Sequence, residues 1–285
     1  MAKVNVNGYE LDYTDDGGGE PVVFVHGGLS DRRIWEGQRS VLSEGFRVIV
    51  YSRRYHWPNE SIAERAEYGM LEQVEDLEEL IGTLQLAPAH LVGNSYGAFI
   101  CLMVAIRRPN LVRSLALAEP PVIPLFASFP PKPLELLGLL ITRPRAAVAL
   151  FRFAATGIRP SRAAFERGDY DEGVRIFTEA VLGPKGYELM TEERVEQMRV
   201  NDFPEQFLGD GFVPLTAEEV RNVLAPTLLM TGEHSQSFLV HLIDRLEELL
   251  PHNDRVEIPG ASHDMQVDNP EAFNVALRSF LTNIT

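Results

Sequence analysis

The sequence predicts an α/β fold in which a mostly parallel central sheet carries one helical insertion. Short apolar runs rich in Val, Leu and Ile alternate along the chain with helical patterns, as the βαβ units of a parallel sheet require. After residue 118 a long interval passes before the next strand signal, at Thr227. We therefore expect one core formed by residues 1–119 and 219–285, with residues 120–218 inserted as a helical cap.

The size and composition fit one globular core with an insertion. The chain has 285 residues, of which 45% are hydrophobic and 24% charged, as in an ordinary globular protein with a sizeable core. Its formal net charge is −15, whereas binding to nucleic acid or to an anionic membrane surface requires concentrated Lys and Arg. The expected partner is a small-molecule substrate, with no nucleic acid and no membrane.

The first residues of the sequence and its Cys and His content bear on targeting and metal binding. Residues 1–8 lack the apolar region of a signal peptide, and no run approaches ~18 consecutive apolar residues. Cys101 is the single cysteine, which excludes an internal disulfide, and no group of Cys and His has zinc-ligand spacing. We expect a cytoplasmic protein without a metal or another cofactor.

The elements of the core follow in order. Residues 3–6 and 9–13 flank Asn7-Gly8, a pair that tolerates the positive φ of a tight hairpin turn. Between residues 71 and 84 apolar positions recur every three or four residues, which predicts an amphipathic helix that covers the sheet. Apolar runs with the length of buried strands lie at residues 21–25, 47–51, 89–92, 114–118, 227–230 and 255–258.

The insertion shows helical patterns at residues 146–155, 171–182 and 192–200, with prolines between them. This predicts a helical cap over the carboxyl ends of the strands, where open α/β sheets bind their ligands. The phenylalanines of this interval are expected to pack its helices together or to line an apolar cavity. They are Phe126, Phe129, Phe151, Phe153, Phe165, Phe177, Phe203 and Phe207.

The pattern with the clearest chemical meaning is GNSYG at residues 93–97, between a predicted strand and a predicted helix. A sharp strand-to-helix turn needs small residues two positions before and after its serine, and Gly93 and Gly97 supply them. The amino terminus of the helix favours the negative charge that develops during attack. We therefore expect Ser95 to be a covalent nucleophile.

A serine nucleophile needs hydrogen-bond donors for the oxyanion and a base within reach. Residues 26–29, His-Gly-Gly-Leu, follow a predicted strand and are typical of an oxyanion loop, in which the Gly28 amide joins the Tyr96 amide. We expect His26 to brace this loop rather than to catalyse. The expected base is His263, on the loop after the last predicted strand.

Together these segments resemble the α/β-hydrolase superfamily over essentially the whole chain. Residues 26–28, 93–97 and 260–263 with Asp268-Asn269-Pro270 carry the resemblance, and the serine precedes the histidine as it does in that superfamily. The resemblance implies a hydrolase with a serine nucleophile, a histidine base and no cofactor.

The acid partner of the histidine departs from the usual pattern. The superfamily's usual Asp lies two residues beyond Glu233, where this chain has Ser235. Haloalkane dehalogenases and zearalenone lactonases carry instead a Glu just after the next strand, the one that follows the helix beginning at the nucleophile turn. Glu119 occupies that position here. By this resemblance Glu119 is the expected acid, and Glu233 is the alternative. Dehalogenase and epoxide-hydrolase chemistry is not implied, because it needs an Asp where this chain has Ser95.

These features predict a carboxylesterase or lactonase that acts on a small, largely apolar substrate through an acyl-enzyme. Two alternatives stay open, a serine-dependent carbon–carbon bond hydrolase and a ligand-binding protein that keeps the fold for recognition. Residues 51–58 combine aromatic and cationic side chains after a predicted strand. We expect them either at the mouth of the pocket or in a solvated loop.

Overall fold

A mixed sheet organises the protein. The computed structural model describes residues 2–62, 68–128, 132–184, 186–188, 190–201, 203–209 and 211–284. The strands are β1 (Ala2–Val6), β2 (Tyr9–Gly17), β3 (Pro21–Val25), β4 (Arg47–Tyr51), β5 (Ala89–Asn94), β6 (Val112–Ala118), β7 (Thr227–Gly232) and β8 (Asn253–Ile258). Their order in the sheet is β1-β2-β4-β3-β5-β6-β7-β8. β1 and β2 are antiparallel to their neighbours and all other pairs are parallel, which confirms the predicted fold class.

The predicted hairpin forms at the edge of the sheet. Val6 pairs with Tyr9 across the turn, and the two residues between them have positive φ, 47° at Asn7 and 79° at Gly8. A two-residue turn of this kind matches the twist of its strands. The hairpin places β2 against β4 and so caps the parallel part of the sheet.

Helices flank the sheet on both sides. The helices before the insertion are α1 (Glu36–Leu42), α2 (Met70–Thr83) and α3 (Tyr96–Arg107). Between β6 and β7 lie α4 (Pro133–Thr142), α5 (Pro144–Phe153), α6 (Arg159–Glu166), α7 (Tyr170–Leu182), α8 (Glu192–Arg199), α9 (Phe203–Leu208) and α10 (Ala217–Arg221). After β7 come α11 (Ser237–Leu249), α12 (Met265–Asp268) and α13 (Pro270–Thr282).

Two apolar cores lie on opposite faces of the sheet. Along β3, Val23 and Val25 face the core beneath α2, α3 and α11. Val22 and Phe24 point the other way, into the core beneath α1 and α13. Because both faces are covered, the central strands are apolar at successive positions rather than at alternate ones.

The residues between β6 and β7 pack through aromatic rings. Phe165, Phe177, Phe203 and Phe207 form a cluster with ring centroids 5.0 to 6.0 Å apart, joining α6, α7 and α9. These phenylalanines therefore hold the helices of the insertion together, one of the two roles expected for them. Phe129 lies outside the described residues.

Candidate active site

Ser95 occupies the turn between β5 and α3. Its backbone is strained, with φ 52° and ψ −122°, and its amide donates a 2.8 Å hydrogen bond to the carbonyl of Ala118 at the end of β6. A side chain at Gly93 would collide with the backbone of Ala98, and one at Gly97 with the carbonyl of Val25. Gly93 thus allows β5 and α3 to approach closely, and Gly97 allows the start of α3 to approach the end of β3, so that Ser95 lies at the carboxyl edge of the sheet.

His263 and Glu119 form a buried pair at the same edge. His263 Nδ1 lies 2.6 Å from Glu119 Oε2, and the Glu119 side chain is fully buried. Glu119 Oε1 also accepts a 3.3 Å hydrogen bond from the amide of Gly232. Asn94, directly before Ser95 in the chain, donates from Nδ2 to the carbonyl of His263 at 3.1 Å. These contacts hold the histidine loop beside the turn that carries Ser95.

Glu233, the alternative acid, faces elsewhere. It is exposed, and its Oε2 accepts a 2.7 Å hydrogen bond from the amide of Gly260. Ser235, at the position where the superfamily usually has Asp, accepts a 3.0 Å hydrogen bond from the Gly232 amide through Oγ. The structure therefore brings Glu119 to His263 and uses Glu233 to tie the end of β7 to the loop before the histidine.

The pKa of His263 is set by opposing effects. Burial lowers the pKa, but the hydrogen bond to Glu119 and the negative charges of Glu119, Asp264 and Asp268 outweigh burial, so the pKa of His263 is raised above its ordinary value of 6.5. A raised pKa makes the imidazole a stronger proton acceptor. It also makes the imidazolium that follows proton transfer easier to form.

The loop after β3 lies against the serine turn. A side chain at Gly27 would lie 3.3 Å from Ser95 Cβ, so Gly27 packs directly on the turn. His26 is fully buried; its Nδ1 donates to the Gly27 carbonyl at 2.9 Å, and its Nε2 accepts from the Arg53 amide at 2.9 Å. Burial and the nearby Arg53 charge hold the pKa of His26 well below its ordinary value. His26 is therefore a neutral brace within this loop.

The orientation of one peptide group decides what this loop offers to a substrate. The carbonyl of Gly27 is held by Arg53 Nη2 at 2.8 Å as well as by His26. In a trans peptide the carbonyl and the following N–H point in opposite directions. The N–H of Gly28 is thus directed away from Arg53. The amide of Tyr96, at the start of α3, has no acceptor within its own helix and is the second available donor.

The carboxyl edge where these residues meet is also where the order of the strands reverses. The chain passes from β3 to β4 on one side and then returns to β5 on the other side of β3. Ligands of open α/β sheets bind in the crevice outside such a point. Gly28 follows β3 and Ser95 follows β5, so the two flank this crevice.

A family model described as the alpha/beta hydrolase fold matches residues 20–270. The chain belongs to this family. Among its relatives are carboxylesterase YbfK of Bacillus subtilis, 25% identical over 91% of this chain and 79% of that protein, and 2-(acetamidomethylene)succinate hydrolase of Mesorhizobium japonicum, 26% identical over 98% of this chain and 94% of that protein. A solved structure of an epoxide hydrolase mutant from Bacillus megaterium matches 99% of this chain and all of that chain, with a TM-score of 0.74 and 21% identity. That likeness shows the fold.

In this α/β-hydrolase the centre of the segment after β4 is buried. It lies neither in a solvated loop nor at a pocket mouth, the two places expected for it. Ser52, Arg53 and His56 are buried, and Arg53 is only 1% exposed. The guanidinium of Arg53 donates hydrogen bonds to five acceptors within 3.3 Å. They are the carbonyls of His26 and Gly27 and the side chains of Tyr68, Gln73 and Gln206. Among the described residues no carboxylate pairs with it.

Sequence reasoning missed this role of Arg53. The available signal was its place just after β4, which is the parallel neighbour of β3, since the carboxyl ends of adjacent parallel strands meet at one edge of a sheet. The acceptor from α9, Gln206, is distant in sequence, and no local sequence pattern indicates that it contacts Arg53.

Along the described ranges, none of the helices combines the length and apolar character needed to cross a membrane.

Proposed function

We propose that this α/β-hydrolase cleaves an ester or lactone bond of a small, largely apolar substrate through an acyl-enzyme. Ser95 is the nucleophile, His263 the general base and Glu119 the acid that orients it. The observation that carries the proposal is the 2.6 Å contact between Glu119 and His263 Nδ1 beside the strained turn of Ser95. With Nδ1 engaged by a carboxylate, Nε2 is the nitrogen left to accept a proton.

The first half-reaction forms the acyl-enzyme. Ser95 Oγ attacks the carbonyl carbon of the substrate while His263 Nε2 takes the hydroxyl proton, and the amides of Gly28 and Tyr96 bind the oxyanion. The tetrahedral intermediate then collapses, the bond to the leaving oxygen breaks, and His263 returns the proton to the leaving alcohol. Hydrogen bonds to Glu119 and Asn94 hold His263 before substrate arrives, and the bond from Ser95 to Nε2 forms as the substrate binds.

The second half-reaction releases the acid. A water molecule attacks the acyl carbonyl as His263 Nε2 takes one of its protons, and the same two amides bind the new oxyanion. Collapse of this intermediate breaks the bond to Ser95 Oγ, which recovers its proton from the imidazolium. Glu119 keeps its negative charge throughout and stabilises the positive charge on His263 in both halves.

Residues 120–218 form, in this proposal, the cap that covers the site. A side chain at Gly28 would collide with Phe203 and approach Gln206, so α9 lies directly over the oxyanion loop. Asn201, just before α9, donates to Asp31 at 3.2 Å and accepts from the amide of Trp57 at 2.9 Å. The cap thereby excludes water and supplies apolar surface to the substrate.

The names of the relatives point to more than one reaction, and Ser95 argues against one of them. They include an epoxide hydrolase and a carboxylesterase. Epoxide hydrolysis needs an Asp nucleophile, as argued above from the sequence, whereas acyl transfer to serine is esterase chemistry. Another relative is named 2-(acetamidomethylene)succinate hydrolase, and a succinate carries carboxyl groups.

The test is covalent labelling combined with turnover. A fluorophosphonate probe is expected to label the protein at Ser95, and Ser95→Ala is expected to abolish both labelling and hydrolysis of short-chain aryl esters. Ser40→Ala, an exposed serine on α1, is the matched control and should behave as wild type. Full esterase activity in purified Ser95→Ala would disprove the proposed nucleophile.

A further inference from the structure

Arg194 on α8 reaches the histidine loop. Its Nη2 donates to Asp264 Oδ2 at 3.2 Å, and Asp264 directly follows His263. Both side chains are largely buried, with 13% of the Arg194 side chain and 15% of the Asp264 side chain exposed. A cation carried by the insertion is therefore fixed beside the proposed general base.

Within the part of the chain that the structure describes, the rest of this guanidinium has no acceptor. Nε and Nη1 of Arg194 are buried without a hydrogen-bond partner among the described residues. Such donors lose their hydration on burial and gain nothing in return, which costs about 1–3 kcal/mol for each unsatisfied group and more when the group is charged. Arg53 differs in this respect, because its Nε, Nη1 and Nη2 all donate hydrogen bonds to protein acceptors. The free donors of Arg194 thus suit a ligand.

The position of Arg194 relates it to both loops that flank Ser95. Asp264 ties it to the histidine loop on one side. Its positive charge also contributes, after burial, Arg53 and His56, to lowering the pKa of His26 in the loop after β3. A group bound to Arg194 would therefore lie beside the loop that carries His263.

We propose that Arg194 binds a carboxylate carried by the substrate. The proposal deepens the proposed function and rests on it, since it names the class of ester: one with an apolar body and an anionic end. A carboxylate makes short, charge-assisted hydrogen bonds to guanidinium N–H groups. Asp264 already balances one positive charge, and the chain carries a net charge of −15, so an anionic substrate needs such a local donor set to be held.

The kinetic test compares matched substrates. A series of 4-nitrophenyl monoesters of straight-chain dicarboxylic acids, from glutarate to suberate, is set against the same compounds with the free carboxylate methylated. Wild type is expected to prefer a carboxylate member of the series. Arg194→Met should lower the ratio of kcat/KM between that substrate and its methyl ester roughly tenfold to hundredfold, the factor for losing one or two hydrogen bonds to a charged group.

The control lies on the same helix. Arg199, also on α8, is 51% exposed at its side chain and pairs with Asp171 at 3.2 Å, so Arg199→Met removes a cation without touching the site. It should keep the wild-type ratio. Arg194→Lys, which keeps the charge but offers one donor group, should fall between wild type and Arg194→Met, and it decides the question if Arg194→Met folds poorly. Equal ratios in wild type and both Arg194 variants would overturn the proposal.

A binding measurement separates this inference from the catalytic proposal. Ser95→Ala titrated with monomethyl adipate in a calorimeter should bind it more tightly than dimethyl adipate, and the difference should vanish in Ser95→Ala/Arg194→Met. This result supports the carboxylate site even if wild type hydrolyses no ester of the series. Equal binding of the monoester and the diester by Ser95→Ala would overturn it, whatever the esterase activity.

Discussion

At the scale of single residues, His263 receives its carboxylate from β6 rather than from the neighbouring β7. Glu119 and Glu233 each directly follow one of these strands, and the strands pair in parallel, so both residues emerge at the same edge. Glu119 has φ 47°, a left-handed backbone that turns its side chain beneath the histidine loop. Two adjacent strand ends offer the same residue type, and the sequence alone ranks them only through the resemblance to particular hydrolases.

This difference predicts unequal effects of two matched substitutions. Glu119→Gln is expected to lower kcat by a factor on the order of 10⁴, because the imidazole loses the charge that stabilises its protonated form. Glu233→Gln removes an exposed carboxylate that bonds the Gly260 amide and should change kcat little. Steady-state kinetics of the two purified variants measures both. The reverse order of effects would identify Glu233 as the acid.

The pH profile provides a second measurement at the same residue. His263 must be neutral to accept a proton, so kcat/KM should rise with pH as the imidazolium loses its proton. Because Glu119 helps to raise the pKa of His263, the midpoint should lie above 6.5 in wild type and move to lower pH in Glu119→Gln. An unchanged midpoint in that variant, or a profile flat to pH ~4 in wild type, would contradict the assignment of base and acid.

At the scale of elements, the proposed oxyanion loop is held by contacts from two directions. Arg53, after β4, and Gln206, on α9, share a 3.2 Å hydrogen bond, and Arg53 in turn holds the Gly27 carbonyl. The loop contains two glycines and has little side chain of its own to fix it. Its peptide orientation therefore depends on a residue that follows a neighbouring strand.

Arg53→Met is accordingly expected to weaken the oxyanion hole. Loss of a donor in such a site costs roughly 10²–10³ in kcat, and a misoriented Gly28 amide should approach the lower figure with little change in KM. Affinity for a boronate transition-state analogue should fall in parallel, which a purely structural role would not produce. Arg54→Met is the control, because Arg54 pairs with Asp76 on α2 at 2.7 Å instead. Parallel losses of kcat in both variants would refute a specific role for Arg53.

The observed end of β2 differs from the end that the apolar pattern predicts. β2 was expected to end at residue 13 but continues to Gly17, pairing with β4 down to Arg47. The added residues Thr14–Gly17 are polar and show no apolar alternation. Arg47 on β4 forms a 2.7 Å ion pair with Asp15 there, a contact across strands that no single-strand pattern contains. The apolar strands, by contrast, appear where their Val, Leu and Ile runs predict them.

At the scale of the whole molecule, the fold class follows from the sequence because the central strands bury both faces. On β3, apolar side chains point to both faces of the sheet, Val22 and Phe24 to one and Val23 and Val25 to the other. Each face must therefore be covered by helices, and the helices between and after the strands cover both. The roles of Arg53 and Arg194 do not follow in this way. Each depends on contacts between the insertion and the core that join residues far apart in sequence, Arg53 with Gln206 and Arg194 with Asp264.

The end of β6 contacts two groups that the proposed reaction needs at fixed separation. The carbonyl of Ala118 accepts the amide hydrogen of Ser95, and the next residue, Glu119, contacts His263. One strand end therefore contacts both the turn of Ser95 and the loop of His263. Under the proposed function, changes at the end of β6 would affect nucleophile, carboxylate and base together, whereas the loop of Gly28 and the helix of Arg194 could be varied separately to alter which esters are accepted.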